Sequence, residues 1–276
     1  MKANYHTHTK LCGHAIGMSE EYILEAIKNG FEEIGFSDHG PIPRYFMTEN
    51  EYQNNMLYRQ MNEEDFEEKY LVDLDSSIKK YSSLISIKKG LEIEYLSNND
   101  EYYLSLLDKL DYLSLGVHYF ATPSGLYNSY DSMSISHIEY YAEAIENALK
   151  TRMFTILNHP DLYLLNYTDS EGNLIFDETC ELVARRIIEA SVKYGVYLEI
   201  NGGGPRRGKL QINGANQYYY PRNEFWRIVE EYKEAKIILG CDTHNPVELY
   251  DECIKELEEY THGFNFNITN KITFNK

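Results

Sequence analysis

The sequence predicts an α/β protein in which seven strands alternate with seven helices and close into a β/α barrel. Two observations lead to this prediction. Short apolar runs of strand length alternate with longer amphipathic runs along the chain, as in parallel βαβ units. In addition, nearly every predicted strand ends in His, Asp, Asn or Glu. A barrel gathers all strand carboxyl ends at one mouth, so this placement favours a barrel over an open doubly wound sheet, which the alternation alone leaves possible.

The boundaries of the elements follow from these runs. The predicted strands lie near residues 3–8, 32–38, 86–93, 112–118, 154–159, 196–201 and 236–242. The predicted helices lie near residues 19–29, 64–82, 100–109, 137–150, 177–194, 222–234 and 246–260. The first helix is the best marked, because Ser19 is a good N-cap and Gly30 follows its end. A last apolar run at 264–268 adds a strand or packs against the barrel.

Chain length and loop length predict the domain organisation. A chain of 276 residues is ordinary for one barrel, so residues 1–276 are expected to form a single domain. The acidic insertion 41–70 is too long for an ordinary connection, and is either a lid over the mouth or a solvated excursion. A second long connection, 202–221, holds three successive glycines whose spacing matches no phosphate-binding motif and indicates flexibility.

Composition and charge limit the possible partners. The chain is 43% hydrophobic and carries a formal net charge of −18, which repels nucleic acid and anionic membranes. A local metal cluster would still attract a small phosphate, because bound cations reverse the local field. We therefore expect a small-molecule phosphate substrate, no nucleic acid and no membrane, with the oligomeric state open.

Cysteine usage and the N-terminus indicate the compartment. The four cysteines are far apart and form no CxxC pair, which predicts free thiols and a reducing compartment. The chain begins directly with a strand-like segment, and no apolar run approaches about 18 residues. These features predict a cytoplasmic protein.

Histidines and carboxylates cluster at the predicted strand ends. Seven of the nine histidines lie there, and only His137 and His262 lie elsewhere. His6 and His8 are two apart on a strand, so their side chains point to one face. The pairs Glu92/Glu94 and Asp242/His244 repeat this spacing. Each motif alone is weak, but together at one end of a barrel they predict a site for divalent metals that accept imidazole and carboxylate ligands.

Longer segments carry a family resemblance. They are YHTHTKLCGHA at 5–15, GFSDHGPIP at 35–43, GLEIEY at 90–95, GVH at 116–118, NHPDL at 158–162, LEINGGG at 198–204 and LGCDTHNP at 239–246. On these segments, which span almost the whole chain in family order, the sequence resembles the PHP family of metal-dependent phosphoesterases. Within that family it is most similar to the histidinol-phosphate phosphatases.

The resemblance implies a distorted seven-stranded β/α barrel and two to three divalent metals, with zinc, iron and manganese all open. The implied ligands of the first metal are His6, His8, Glu92 and Asp242. Those of the second are Glu92, which bridges, His118 and His159. Those of the third are His14, His39 and His244. The segment NGGGPRRG after the sixth strand does not align with the family's phosphate-binding loop, and Glu94 stands where Asp is equally expected.

The implied reaction is metal-dependent hydrolysis of a phosphomonoester, with histidinol phosphate of histidine biosynthesis as the expected substrate and metal-activated hydroxide as the nucleophile. Glu94 and Asp38 are candidates for proton transfer, although Asp38 is favoured as a residue that orients a ligand. Arg206 and Arg207 suit phosphate, with Arg207 preferred, unless both are merely solvated. The alternatives are a phosphoesterase for another small ester or for nucleic acid, and a non-catalytic metal-binding module.

Overall fold

Seven parallel strands stand in chain order around a barrel in the computed structural model, which describes residues 1–54, 61–212 and 214–274. All strands of the described residues, in chain order, are β1 (Ala3–Asn4), β2 (Glu33–Phe36), β3 (Ser86–Ile93), β4 (Tyr112–Leu115), β5 (Tyr119–Thr122), β6 (Gly125–Asn128), β7 (Ile156–Leu157), β8 (Tyr197–Asn201), β9 (Lys209–Ile212), β10 (Ala215–Tyr218) and β11 (Lys236–Gly240). The sheet runs β1-β2-β3-β4-β7-β8-β11, and each neighbouring pair is parallel. The seven predicted barrel strands are confirmed.

The barrel closes where its first and last strands meet beyond their regular ends. The backbone N–H of His8 donates to the carbonyl of Thr243 (3.0 Å), next to a parallel bridge between Thr7 and Thr243. On the same seam the Asn4 side chain accepts from the Cys241 N–H (2.8 Å). Closure through these few contacts, instead of a full ladder between β1 and β11, makes the barrel distorted, as predicted.

Helices connect the strands on the outside. In chain order they are α1 (Ser19–Lys28), α2 (Glu49–Asn54), α3 (Glu63–Asp65), α4 (Leu71–Tyr81), α5 (Asp100–Leu107), α6 (Ile135–Lys150), α7 (Glu178–Tyr194), α8 (Gly203–Arg206), α9 (Asn223–Val229) and α10 (Glu252–Thr261). A π-helical segment, Phe66–Tyr70, joins α3 to α4. The predicted helix at 246–260 starts later, at Glu252, because Pro246–Glu248 form a separate 3-10 turn and Asp251 caps α10.

Two antiparallel hairpins were not predicted. One pairs β5 with β6 directly after the fourth barrel strand, and the other pairs β9 with β10 inside the connection 202–221. Each of these strands has four residues, too few for a two-residue alternation to stand out in the sequence. Both hairpins follow carboxyl ends of barrel strands and therefore rise on the side of the mouth.

The insertion 41–70 folds beside the mouth. A 3-10 turn at Arg44–Phe46 precedes α2, and the Leu126 N–H on β6 donates to Glu51 on α2 (3.2 Å). Residues 55–60, which belong to the predicted lid, lie outside the described residues. The lid and the single domain stay predictions.

The C-terminal segment covers the opposite end of the barrel. Ile268 forms a parallel bridge with Ile237 of β11, which confirms that the run 264–268 packs against the barrel. Further on, the Ile272 N–H donates to the Tyr5 hydroxyl (2.8 Å), and the Phe274 ring stacks on Tyr112 with centroids 5.1 Å apart. All four cysteines are free, as predicted. No helix within the described part of the chain is long and apolar enough to span a membrane.

Candidate metal centre

Glu92, near the end of β3, lies at the centre of the site. One carboxylate oxygen, Oε2, is 3.3 Å from His6 Nε2 and 3.4 Å from His8 Nε2. The other, Oε1, is 3.0 Å from His159 Nε2 and 3.5 Å from His118 Nε2. Glu92 therefore faces two groups of imidazoles with different oxygens, the arrangement that a bridging ligand requires.

Asp242, which follows β11, completes the first group. Its Oδ1 lies 3.4 Å from His6 Nε2 and 3.5 Å from His8 Nε2. In the second group, His118 Nε2 and His159 Nε2 are only 3.2 Å apart. Two imidazole lone pairs at this distance repel each other unless a proton or a cation lies near both.

The third predicted group also comes together. His14, His39 and His244 each offer a ligand atom, and these atoms lie within 4.8 Å of one another. The ring centroids of His14 and His244 are 4.6 Å apart, and those of His14 and His39 are 5.1 Å apart. The structure thus places all nine predicted ligand positions in one cluster at the mouth.

Unpartnered nitrogens show that the cluster fits metal ions. Most buried polar atoms in proteins have a hydrogen-bond partner. Within the described residues, however, three buried imidazole nitrogens have none: His8 Nδ1, His159 Nδ1 and His244 Nε2. Two more, His8 Nε2 and His39 Nδ1, lie 3.4 Å from Glu92 Oε2 without forming a hydrogen bond. Imidazole and carboxylate donors are the set that zinc, manganese and iron accept. The residues present therefore fit a cluster of divalent metals.

The protonation states of His8, His39, Glu92 and Asp242 suit ligation. At His6 burial lowers the pKa, but Glu199, Asp242 and Glu92 outweigh it and raise the pKa well above the ordinary value, so a metal would have to displace a proton there. Burial, reinforced by the neighbouring His244, lowers the pKa of His8 to about 3, and burial also holds the pKa of His39 well below its ordinary value. Burial opposes ionisation of Glu92 and Asp242, but nearby imidazoles outweigh it and hold both pKa values well below the usual range. Neutral imidazoles and ionised carboxylates are the forms that bind metals.

Two of these residues have strained backbones. His159 has φ of 31° and Asp242 has φ of 45°, values that side chains with a Cβ rarely adopt. Each such conformation costs about 1–3 kcal/mol and persists only where the surrounding structure enforces it. The surrounding structure therefore holds these two backbones in costly conformations. This is expected where side chains must converge on one point to bind a ligand.

Glu94 contacts the cluster from behind, and Asp38 binds the backbone of the residue that follows His8. Glu94 Oε1 accepts from His118 Nδ1 (3.0 Å). Burial lowers the pKa of His118, but Glu92 and Glu94 together raise it to about 9. Asp38 is fully buried and accepts from the backbone N–H of Thr9 (2.7 Å), and burial raises its pKa well above the ordinary value. Neither lines the cavity at the mouth, so their contacts favour orienting roles over proton transfer.

The two predicted phosphate-binding arginines differ in their contacts. Arg206 donates through Nη1 to the carbonyls of Gly202 (3.0 Å) and Cys241 (2.7 Å), and through Nη2 to that of Glu248 (2.7 Å). Arg207 instead extends over two tyrosine rings, and its Nε donates to the Tyr220 hydroxyl (3.3 Å). The guanidinium of Arg206 is used in hydrogen bonds that join loops. The guanidinium of Arg207 retains N–H donors that can bind a ligand.

The glycines before these arginines pack closely. A Cβ at Gly203 would lie 2.5 Å from Asp242 Oδ2, and one at Gly204 would lie 1.6 Å from the Tyr220 carbonyl oxygen. Gly203 and Gly204 begin the short helix α8. Close approach therefore explains these glycines better than the flexibility that the sequence indicated.

A cavity of about 590 Å³ opens above the clustered residues. Beyond the cluster residues and α8, its walls are formed by Tyr119, Tyr130, Tyr220, Arg207 and Glu248. No described residue of the insertion 41–70 lines it. A cavity of this size, with aromatic walls, suits a small molecule rather than a polymer.

Sequence reasoning missed three polar residues beneath the cluster. Asn158 donates to Glu92 Oε1 (2.9 Å). Glu199 on β8 contacts the His6 ring, and Asn201 donates to Glu199 Oε2 (2.8 Å). Glu199 and Asn201 belong to the quoted LEIN segment, and their spacing of two places both on one face of a strand. That spacing was the available signal.

The two histidines that were predicted to lie elsewhere do so. The His137 ring stacks on Tyr127 (centroids 3.7 Å apart), and its Nδ1 accepts from the Ser134 N–H at the start of α6. His262 lies exposed at the end of α10, beside Glu259. Neither approaches the cluster.

Comparisons with known proteins show the family to which the chain belongs. The model of the PHP domain matches residues 4–203. A relative from Deinococcus radiodurans, named a probable histidinol-phosphatase, is 25% identical over 266 residues, which cover 92% of each chain. The histidinol-phosphatase of Bacillus subtilis is 30% identical over 128 residues, 45% of this chain and 46% of the relative.

Solved structures share the fold. A crystal structure from Listeria monocytogenes, assigned as a histidinol phosphatase, superposes with a TM-score of 0.72 at 20% identity and covers 92% of this chain and 99% of that one. The histidinol phosphate phosphatase of Lactococcus lactis, complexed with zinc, L-histidinol and phosphate, gives a TM-score of 0.62 at 17% identity, with 96% and 95% covered. These likenesses confirm the predicted barrel.

Proposed function

The chain belongs to the PHP family, and from that premise we propose that it is a metal-dependent phosphatase that converts L-histidinol phosphate to L-histidinol and phosphate. Relatives named histidinol-phosphatase match along most of the chain, and the enzyme from Lactococcus lactis carries zinc, histidinol and phosphate. The observation that carries the proposal is the position of Glu92, which faces two histidine groups with separate carboxylate oxygens.

We propose the nine clustered residues as ligands of two to three divalent metals, with zinc, iron or manganese as the ions. When bound, such ions supply hydroxide at neutral pH and neutralise phosphoryl charge. The role of this chain is to fix the geometry. Glu92 and Asp242 provide the negative charge, and the neutral imidazoles of His8 and His39 provide lone pairs.

Arg207 is the proposed phosphate-binding residue. Its guanidinium lies over the Tyr130 ring, 5.4 Å from the centroid, and lines the cavity beside Asp242 and His244. A planar guanidinium fork binds phosphate oxygens in a bidentate manner, and the tyrosines beneath it hold it in place. Arg206 supports this wall through its bonds to three backbone carbonyls, and we propose no direct phosphate contact for it.

The rest of the cavity accepts the organic part of the substrate. Histidinol phosphate ends in an ammonium group and an imidazole. The tyrosine walls offer π faces for the ring, and the carboxylate of Glu248 offers a partner for the amine. The acidic chain, with a net charge of −18, disfavours nucleic acid. The free thiols fit a reducing compartment, and we propose the cytoplasm.

A substrate panel on the metal-replete protein tests the function. The apoprotein is loaded in turn with zinc, manganese or ferrous iron, and kcat/KM is measured for L-histidinol phosphate, p-nitrophenyl phosphate and single-stranded DNA. We expect the largest value for histidinol phosphate and negligible DNA cleavage. Equal turnover of both monoesters would reduce the assignment to a general phosphoesterase, and DNA cleavage without histidinol-phosphate turnover would overturn it.

Metal stoichiometry tests the proposed cofactor. Elemental analysis of the purified protein should give two to three divalent ions per chain, and chelation should abolish activity until metal is restored. Full activity in a protein with fewer than one metal per chain would contradict the proposal.

A further inference from the structure

Glu199 is a buried carboxylate below the metal cluster whose role is not explained by the ligand set. Its side chain is 1% exposed, and taking an ionised carboxylate out of water costs several kcal/mol unless it is well paired. Glu199 lies on β8, which pairs directly with the closing strand β11. Its side chain faces into the barrel towards His6 and His159. A charge at this position needs an explanation beyond packing.

The contacts of Glu199 join two of the proposed ligands. Oε1 accepts from His6 Nδ1 at 2.7 Å. Oε2 accepts from the backbone N–H of His159 at 3.1 Å and from Asn201 Nδ2 at 2.8 Å. Glu199 thus fixes the ring of one ligand and the strained backbone of another with a single carboxylate.

The bond to His6 determines which nitrogen of that ring faces the cluster. With Nδ1–H donated to Glu199, Nε2 faces Glu92 Oε2 and Asp242 Oδ1, which lie 3.3 and 3.4 Å away, and would offer its lone pair to a metal bound between them. A carboxylate behind a ligand imidazole also makes the ring a stronger donor. His118 and Glu94 form the same arrangement on the other side of Glu92.

The neighbouring strand leaves space for this carboxylate. A Cβ at Gly240 of β11 would lie 1.7 Å from Glu199 Oε1, and the other nearest atoms are also those of the Glu199 side chain. Any larger residue at position 240 would therefore displace Glu199. Glycine at this position and glutamate at 199 form a matched pair.

We propose that Glu199 is a positioning residue that holds His6 and His159 in ligating geometry and thereby sets the affinity for metal. This inference rests on the proposed metal site, but it does not depend on the substrate. A glutamine at 199 offers one acceptor oxygen to three donors, so at least one bond is lost and an amide N–H is turned towards another donor. His6 and His159 remain in the chain, but their imidazole rings are no longer held in the orientation that metal binding requires.

The test compares Glu199→Gln with Glu33→Gln. Glu33 is a matched control, because it is also 1% exposed and accepts from the side chains of Tyr5 (2.5 Å) and Ser86 (2.6 Å), but at the opposite end of the barrel. Zinc affinity is measured by competition with a chelator, alongside the thermal midpoint of each apoprotein. We expect the dissociation constant for the most weakly held zinc to rise about 10- to 100-fold in Glu199→Gln and to stay unchanged in Glu33→Gln.

A second variant and a second readout keep the proposal testable if Glu199→Gln folds poorly. Gly240→Ala leaves every ligand and Glu199 itself in the chain, yet it should weaken zinc binding in the same way. The cobalt-substituted Glu199→Gln protein should also show shifted visible absorption bands, whereas cobalt-substituted Glu33→Gln should not.

Wild-type zinc affinity and unshifted cobalt bands in Glu199→Gln would overturn the inference. So would an equal loss of affinity in Glu33→Gln, since that would trace the effect to general destabilisation. The outcome is separate from the substrate panel: wild-type protein without histidinol-phosphate turnover would remove the proposed function, while a zinc defect confined to Glu199→Gln and Gly240→Ala would still support the role of Glu199.

Discussion

Glu33 and Tyr112, the first residues of β2 and β4, find hydrogen-bond partners inside the barrel, whereas several imidazoles at the carboxyl end do not. The Tyr112 hydroxyl donates to the carbonyl of Tyr5 (2.8 Å), and Glu33 accepts from the Tyr5 hydroxyl (2.5 Å). At the mouth, by contrast, His8 has two buried nitrogens without a hydrogen-bond partner among the described residues, and His244 has one. An unpartnered buried polar atom costs about 1–3 kcal/mol of stability. The imidazoles at the mouth therefore lower stability in a way that Glu33 and Tyr112 do not, as is typical of a functional site.

The comparison also explains which end tolerates strain. The amino end is sealed by the C-terminal segment, with Phe274 stacked on Tyr112, and the positive φ of Arg152 (63°) on that side lies in an exposed turn between α6 and β7. The mouth contains the two proposed ligands with positive φ. The packing at the amino end thus offsets the free energy that the strained backbones of the two proposed ligands cost at the mouth.

The largest expected effect comes from removing a proposed ligand at the mouth. His8→Ala and Asp242→Asn should each lower kcat at least roughly 100-fold, since losing a ligand should exceed the 10- to 100-fold cost of losing an outer partner. Steady-state kinetics with saturating metal measures this. His137→Ala and His262→Ala are the controls and should match wild type. A His137→Ala variant as damaged as His8→Ala would break the division of the histidines.

The next effect distinguishes the two arginines beside the mouth. Arg207→Ala should lower kcat/KM roughly 10- to 150-fold, because one charge-assisted contact contributes about 1.5–3 kcal/mol. Its fold should persist, as its partners are mainly tyrosine rings. Arg206→Lys should instead lower the thermal midpoint, because one ammonium nitrogen cannot occupy both guanidinium positions, Nη1 and Nη2, from which Arg206 reaches its three carbonyls. Unchanged kinetics in Arg207→Ala would place the phosphate contact elsewhere.

Sequence could predict most of the fold and the clustering of the candidate residues for a physical reason. Strand and helix periodicities are local, and parallel barrel topology then brings the strand ends together, so His6, Glu92 and Asp242 could be grouped without coordinates. The hairpins β5–β6 and β9–β10 could not be predicted, since strands of four residues give little periodic signal.

The inner contacts were harder to predict because they depend on side-chain direction across the barrel. Glu199 was visible in the LEIN segment, but its partners His6 and His159 are far away in sequence. Likewise, nothing local distinguishes Arg206 from Arg207; the difference arises from the carbonyls of Cys241 and Glu248 that happen to face one of them. Whether the nine clustered residues bind metal as grouped stays a prediction.

A smaller effect is expected at the amino end. Tyr112→Phe removes the hydroxyl that donates to the carbonyls of Tyr5 and Phe36, and should reduce the free energy of unfolding by about 1 kcal/mol. Denaturant titration measures it. Because both hydrogen bonds of this hydroxyl go to backbone carbonyls and neither goes to a proposed ligand, kcat and KM should stay at their wild-type values. A kinetic defect in Tyr112→Phe would show that the two ends are coupled and would undo the comparison.

The smallest effect should appear at the rim of the mouth, at Glu248. Among the described residues that line the cavity, Glu248 is the carboxylate outside the proposed ligand set, so it is the natural partner for the ammonium group of histidinol phosphate. Its side chain is partly exposed and lies 3.8 Å from Arg206 Nε, so water and a neighbouring cation both weaken its attraction. An exposed ion pair contributes about 0.2–1 kcal/mol, and Glu248→Gln should therefore raise KM for histidinol phosphate by roughly 1.4- to 5-fold. Turnover of p-nitrophenyl phosphate, which has no amine, serves as the internal control and should not change. The backbone carbonyl that Arg206 binds is retained in this variant, so the loop should keep its shape. An equal rise in KM for both substrates would mean that Glu248 acts on the phosphate end through Arg206, and the amine would then need another partner.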